Sequence, residues 1–207
     1  MCDSDDVNWH PTNYRTHTLR EINSNGQELL DSDVTLCGFA EIIRGKGAVC
    51  FIKLRDGTGH LQAFIKKGNV SDEELELCQT ASRESTLQIF GTIAEKRPPK
   101  VPEGEPTPPT EYEIVANKVN ILSLAKTPMP LGVTDKVDVG MDVRLDNRFL
   151  DLRRKHINAM FRLRSRILQY GREHLISEGF GEINSPKIIA AAAEGGTNLF
   201  PIKYFDR

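Results

Sequence analysis

From Val34 onward, apolar and polar residues alternate in short runs, the period of a strand with one face buried. VTLCGFAEII predicts a first strand, ended by the basic turn RGKG at 44–47. AVCFIKLRDGTGHLQAFIKK predicts a hairpin whose runs are joined by Asp56, Gly57, Thr58 and Gly59, the glycines supplying a positive φ. SDEELELCQTASRE places a serine before a cluster of acids, an N-cap and first turn that predict a short helix. STLQIFGTIAEK reads as a fourth strand and EYEIVANKVNILSLA as the last. Between them KRPPKVPEGEPTPP is a proline-rich loop, too short of backbone donors for a sheet interior. Ahead of the barrel, residues 1–32 carry one weakly periodic stretch, HTLREINSNGQELLDSD, followed by a turn.

Five short strands with a helix between the third and fourth match the OB-fold, an all-β Greek-key barrel that binds oligonucleotides on one face. The period then changes. After the proline- and glycine-bearing stretch AKTPMPLGVTDKVDVGMD, residues Met160, Leu163, Ile167, Leu168, Gly171 and Leu175 recur at helical spacing, with Arg162, Arg166, Gln169 and Arg172 opposite. Gly179 is expected to stop that helix, and GFGEINSPKII to run as an extended strand into Pro186. The chain thus divides into an N-terminal extension (1–32), a barrel (33–125), a hinge (126–143) and the incomplete opening of an α/β domain (144–207).

Within the barrel, alternation assigns faces. Cys50, Ile52 and Leu54 form an apolar set that belongs inside, which sends Phe51, Lys53 and Arg55 outward. Leu61, Ala63 and Ile65 likewise go inside, leaving Gln62, Phe64 and Lys66 out; Tyr112, Ile114 and Ala116 go inside, leaving Glu113 out. An exposed ring can stack on a nucleobase, and an amide or a carboxylate can pair with a base edge. Arg44 and Lys46 can hold phosphates. Alternation alone leaves a second reading open, in which a neighbouring domain covers the ring and the polar groups are simply solvated.

Composition narrows the choice. Twenty-seven Lys and Arg against 29 Asp and Glu give a net charge of −2, so any contact with nucleic acid is made by a local patch. No apolar run approaches the roughly 20 residues of a membrane span. The acidic opening MCDSDDVNWHPTN does not suit a secretory signal, and cytoplasmic residence is expected. Cys2, Cys37, Cys50 and Cys78 form no CxxC pair and the five histidines are dispersed, so no metal site is expected.

The second half adds a resemblance. RLDNRFLDLRR at 144–154, then FRLRSRI, then GFGEINSPKIIAAAAEGGTNLFPIKYF resemble the aspartyl-tRNA synthetases of class II, in their compact archaeal and eukaryotic-cytosolic form. The resemblance implies that Phe51 stacks on an anticodon base and that Gln62 and Glu113 read the anticodon, with Arg44 a basic contact of the first barrel loop. It implies that Glu194 accepts from the ammonium group of aspartate. Motif 1, with Phe180, Ile183 and Pro186, would lie in a homodimer interface. Segments like the family's motifs 2 and 3, which bind ATP and its magnesium, are not found in these 207 residues. The expected function is therefore the N-terminal portion of an aspartate–tRNA ligase, binding tRNA but inactive alone in adenylation. An asparaginyl or non-discriminating enzyme, and a non-catalytic RNA-binding module, are the alternatives.

Overall fold

Fourteen consecutive residues of the first strand serve both sides of a barrel. In a computed structural model that describes residues 14–98, 109–134 and 138–186, β1 (Asp33–Lys46) pairs with two different neighbours along its length. Its first half, Asp33 to Phe39, runs antiparallel to β4 (Thr86–Glu95). Its second half, from Phe39 to Lys46, runs antiparallel to β2 (Val49–Arg55), and an irregularity between Ala40 and Ile42 bends the strand from one partner to the other. β3 (His60–Lys66) completes the hairpin with β2, and β5 (Tyr112–Ser123) closes the circle in the order β1-β2-β3-β5-β4. The β3–β5 contact is parallel and short, three residue pairs from Gln62–Glu113 to Phe64–Val115. This is the five-stranded OB barrel that the alternation predicts.

The inward sets are where the pattern puts them. Cys50, Ile52, Leu54, Leu61, Ala63, Ile65, Ile114 and Ala116 are all buried in the core, joined by Leu36, Leu87, Ile89 and Ile93; Tyr112, expected inside with them, is only partly buried and lines a groove at the start of β5. α2 (Asp72–Thr80) covers one end, its Ser71–Glu74 capping box in place. Glu74 also accepts from the backbone N–H of Val119, tying α2 to β5. These backbone bonds, that from Ser71 first, hold its carboxyl below the ordinary value.

Residues 18–25 are part of this core. Thr18 and Glu21 form a second capping box, and α1 (Leu19–Asn25) buries Leu19 and Ile22 completely. Asp56 Oδ2 accepts from Leu19 N at 3.1 Å and Thr58 Oγ1 from Arg20 N at 3.1 Å, so the β2–β3 turn docks against the start of α1.

Two expectations about turns are corrected. RGKG is not a turn: β1 continues through Lys46, and the chain reverses at Gly47 and Ala48, where Gly47 takes a φ of +61°. A reversal that tight needs one residue in the left-handed region, and glycine occupies it without a Cβ penalty. Gly57 and Gly59 do not adopt positive φ. Asp56 holds that turn instead, its Oδ1 accepting from Thr58 N at 2.6 Å and from Gly59 N at 2.8 Å.

The core thiols make a checkable case. Burial pushes Cys50 up to about 11 and Cys78 up to about 12, against an ordinary value of 9.0. A folded state that favours the neutral thiol keeps its full stability below about pH 9 and loses it as pH climbs towards 11–12, because the unfolded chain ionises first. The urea midpoint should accordingly fall above pH 9 more steeply in the native protein than in Cys50→Ala/Cys78→Ala. At neutral pH a thiol reagent should reach both cysteines only on unfolding.

The chain divides into two compact units, residues 1–147 and 148–207. The first also contains α3 (Met141–Asp146) and, within the stretch read as a hinge, the buried Leu131 and Val133. In the second, α4 (Arg148–Asp151) leads to α5 (Lys155–Ser177). Asp151 is fully buried, held by Arg148 at 2.8 Å and Arg154 at 3.8 Å. α5 ends as its glycine predicts. Gly179 has a φ of +88°, its N–H donates to Ile176 O at 3.0 Å, and Phe180 N–H donates to Leu175 O at 3.1 Å. Met160, Leu163, Ile167, Leu168 and Leu175 are exposed along one stripe of this helix.

The expected strand over GFGEINSPKII is not formed in its described part: residues 180–186 belong to no strand. A strand exists only through a ladder partner, and among the described residues the second unit holds no other strand to supply one. Among the described residues, no helix is long and apolar enough to cross a membrane.

Candidate nucleic-acid interface

The outer wall of β2, β3 and the start of β5 carries the polar and aromatic side chains that the alternation expels. Phe51 is 37% exposed, on a surface that also carries Arg44, Lys53 and Gln62. Arg44 stands opposite it on β1, and Phe64 opposite it on β3. One step along the hairpin, Lys53 pairs with Gln62; one step further, Arg55 pairs with His60. A groove of about 580 Å³ follows this wall, lined by Arg44, Phe51, Lys53, Gln62, Asn23 and Tyr112 among others.

Three of the four barrel residues singled out by sequence, Arg44, Phe51 and Gln62, line this groove together. The fourth, Glu113, is in register with Gln62 across the parallel β3–β5 contact, and Gln62 Nε2 donates to Glu113 Oε2 at 2.6 Å. A carboxylate only accepts, so the amide nitrogen must be the partner that faces it. Gln62 therefore keeps one N–H and its Oε1 for other partners, and Glu113 keeps Oε1. The result is a short array of acceptor, donor and acceptor beside an exposed ring.

Cations supply the rest. Arg44 is exposed and has no carboxylate partner among the described residues, so its charge is open to a phosphate. Lys96, also on the groove, pairs with Glu111. Lys53 Nζ donates to Glu41 Oε1 at 3.1 Å, and His60 Nδ1 lies 2.8 Å from Glu41 Oε2. Glu41 is itself buried and also faces Arg55, whose Nε is 3.4 Å away. Arg55 Nη2 then reaches both oxygens of buried Glu84 at 2.6 and 2.7 Å. This network beneath the wall holds the Lys53 ammonium and the His60 ring against Glu41, while both side chains stay partly exposed. Sequence reasoning missed Glu41 and Glu84; an acid at 41 between apolar Ala40 and Ile42 was the available signal.

Beyond the barrel, Phe180 and Ile183 are 65% and 84% exposed, and Pro186 is exposed with them. Glu194 lies outside the described residues. Among those residues no three His, Cys, Asp or Glu side chains converge as metal ligands.

Known proteins share both halves. Residues 34–122 match the OB-fold nucleic acid binding domain, and residues 140–206 match the class II tRNA synthetases (D, K and N). The chain is 38% identical over 193 residues to the aspartate–tRNA(Asp/Asn) ligase of Methanococcoides burtonii, covering 93% of this chain and 41% of that protein. It is 40% identical over 180 residues to the protein of that name from Archaeoglobus fulgidus, covering 87% of this chain and 40% of that one. Among solved structures, a putative aspartyl-tRNA synthetase from Leishmania major superposes with a TM-score of 0.79 at 30% identity, over 97% of this chain and 39% of that one. The asparaginyl-tRNA synthetase of Pyrococcus horikoshii superposes with a TM-score of 0.73 at 26% identity, over 92% and 41%. The chain thus spans about two fifths of the length of the curated relatives it matches.

Proposed function

We propose that this chain, whose residues 34–122 match the OB-fold nucleic acid binding domain and whose residues 140–206 match the class II tRNA synthetases (D, K and N), is the N-terminal portion of an aspartate–tRNA ligase. The barrel wall binds the anticodon loop. The observation that carries this is the convergence on one groove of exposed Phe51, Arg44, which has no carboxylate partner among the described residues, and Gln62, which is bonded to Glu113. RNA loops offer unstacked bases with free Watson–Crick edges, which suits a ring flanked by donors and acceptors. Phe51 takes the face of one base, the Gln62–Glu113 array takes base edges, and Arg44 takes backbone phosphate.

The whole protein would activate aspartate with ATP and magnesium and pass it to tRNA in the cytoplasm, as a homodimer built on Phe180, Ile183 and Pro186. Glu194 would bind the aspartate ammonium group. The chemistry assigned to the described residues is RNA binding. A second reading, charging of both tRNA(Asp) and tRNA(Asn), draws on the names of the archaeal relatives. The two anticodons share their first two letters, so a wall reading only those would accept both. Aminoacylation of the two tRNAs by the whole protein separates the readings.

Anticodon reading by this wall is tested by binding RNA hairpins that carry the aspartate anticodon or one with its middle base changed. The wild-type chain should prefer the first, and Gln62→Ala and Glu113→Ala should each shrink that preference by roughly five- to hundredfold, the value of one base-reading contact. A preference that survives both substitutions unchanged would remove the wall from anticodon recognition.

A further inference from the structure

Phe64 stands directly opposite Phe51 in the β2–β3 ladder, with ring centroids 5.0 Å apart and planes inclined by 24°. Nearly parallel rings at that spacing are offset, so each overlaps only part of the other and leaves the remainder free. On its other side Phe64 is in register with Val115 of β5. The row Phe51–Phe64–Val115 therefore runs across three strands of the wall. Its two ends differ: Phe51 lines the groove and is exposed, whereas Phe64 is half-buried and is not a lining residue.

A lone ring on an open wall samples several rotamers, and a base that stacks on it must bear the cost of ordering it. Beside Phe64 that ordering is already done. We infer that Phe64 is a positioning residue for RNA binding: it holds the Phe51 ring in a stacking-ready orientation and touches no base itself. The inference rests on Phe51 being the residue that receives a nucleobase. It also explains a large aromatic at 64, on an outward position where burial alone asks for none.

The test measures affinity of the full chain for a labelled RNA hairpin bearing the aspartate anticodon, by fluorescence anisotropy, with thermal midpoints recorded for every variant. Phe64→Met keeps most of the apolar bulk and removes the flat ring. It should weaken binding by about three- to tenfold, the weight of an aromatic pair, with the midpoint little changed. Phe64→Tyr should restore affinity to within about twofold of wild type. In a Phe51→Leu background Phe64→Met should add nothing, since it acts through the ring already removed. If Phe51→Leu weakens binding and Phe64→Met does not, or if Phe64→Met costs as much without Phe51 as with it, Phe64 does not act by positioning Phe51. If Phe51→Leu itself leaves affinity unchanged, the stacking role falls and this inference falls with it.

Discussion

Replacing Phe51 with alanine will weaken binding of an aspartate-anticodon hairpin by roughly five- to hundredfold while leaving the fold intact. Base-on-ring stacking contributes about 1–3 kcal/mol per base, and Phe51 is the exposed ring on the groove. Because it points away from the core, its loss costs the fold mainly the Phe51–Phe64 pair, about 0.5–1.5 kcal/mol, and the thermal midpoint should move by only a few degrees. The substitution separates ligand binding from folding better than any charge change on the wall would. Lysine and arginine substitutions alter affinity for every RNA alike and change its salt dependence. Loss of a stacking ring should leave the salt slope untouched. Equal weakening at low and high salt is therefore part of the expected result, and a salt slope that collapses in Phe51→Ala would assign the ring some other role.

Arg55→Met should have the opposite character, with a large loss of stability. Arg55 is mostly buried and shared between two buried carboxylates, Glu84 at 2.6 Å and Glu41 at 3.4 Å. Methionine fills much of the same space but supplies no charge, so both acids lose a cation in surroundings that solvate them poorly. Breaking a buried ion pair from one side costs about 3–5 kcal/mol, a large share of the total stability of a domain this size. Chemical denaturation should show the midpoint falling by that equivalent with an unchanged slope. Substituting both acids with Arg55, as Glu41→Gln/Glu84→Gln/Arg55→Met, should recover much of the loss, since the three buried charges then go together and Lys53 is left with its ammonium partly in solvent. If Arg55→Met proves as stable as wild type, the network is a surface arrangement with no part in holding β1, β2 and the β4 approach together.

The barrel was legible because its physics repeats every second residue. Once Cys50, Ile52 and Leu54 are placed inside, Phe51 has nowhere to go but out, and the same logic exposes Gln62 and Glu113. What alternation does not carry is register. It puts Phe51 and Gln62 on one wall but cannot say that position 51 faces 64, or that 62 faces 53. The Phe51–Phe64 stack was therefore out of reach, although both rings were assigned outward. The Gln62–Glu113 bond was hidden for a related reason. It depends on a parallel closure between strands 51 residues apart, and no local pattern announces that.

Elsewhere the sequence misled in ways that have causes. The glycines at 57 and 59 suggested a turn that needs positive φ, yet one aspartate side chain organises it from outside the backbone. Residues 18–25 were read as part of an extension, but Leu19 and Ile22 find their burial against the barrel rather than in a helix pair of their own. GFGEINSPKII has strand composition without, among the described residues, a strand to pair with. Composition sets what a segment could become, and a partner decides whether it does.

That an RNA loop lies along β2, β3 and β5 can be settled by cross-linking. A hairpin with the aspartate anticodon and a thiouridine at its middle base would be irradiated on the wild-type chain, and the modified peptides identified by mass spectrometry. The cross-links should fall on peptides carrying Phe51, Gln62 or Glu113, and should vanish when unlabelled hairpin competes. Cross-links confined to α5, or spread evenly over the chain and insensitive to competitor, would show that the exposed wall is not where this protein meets RNA.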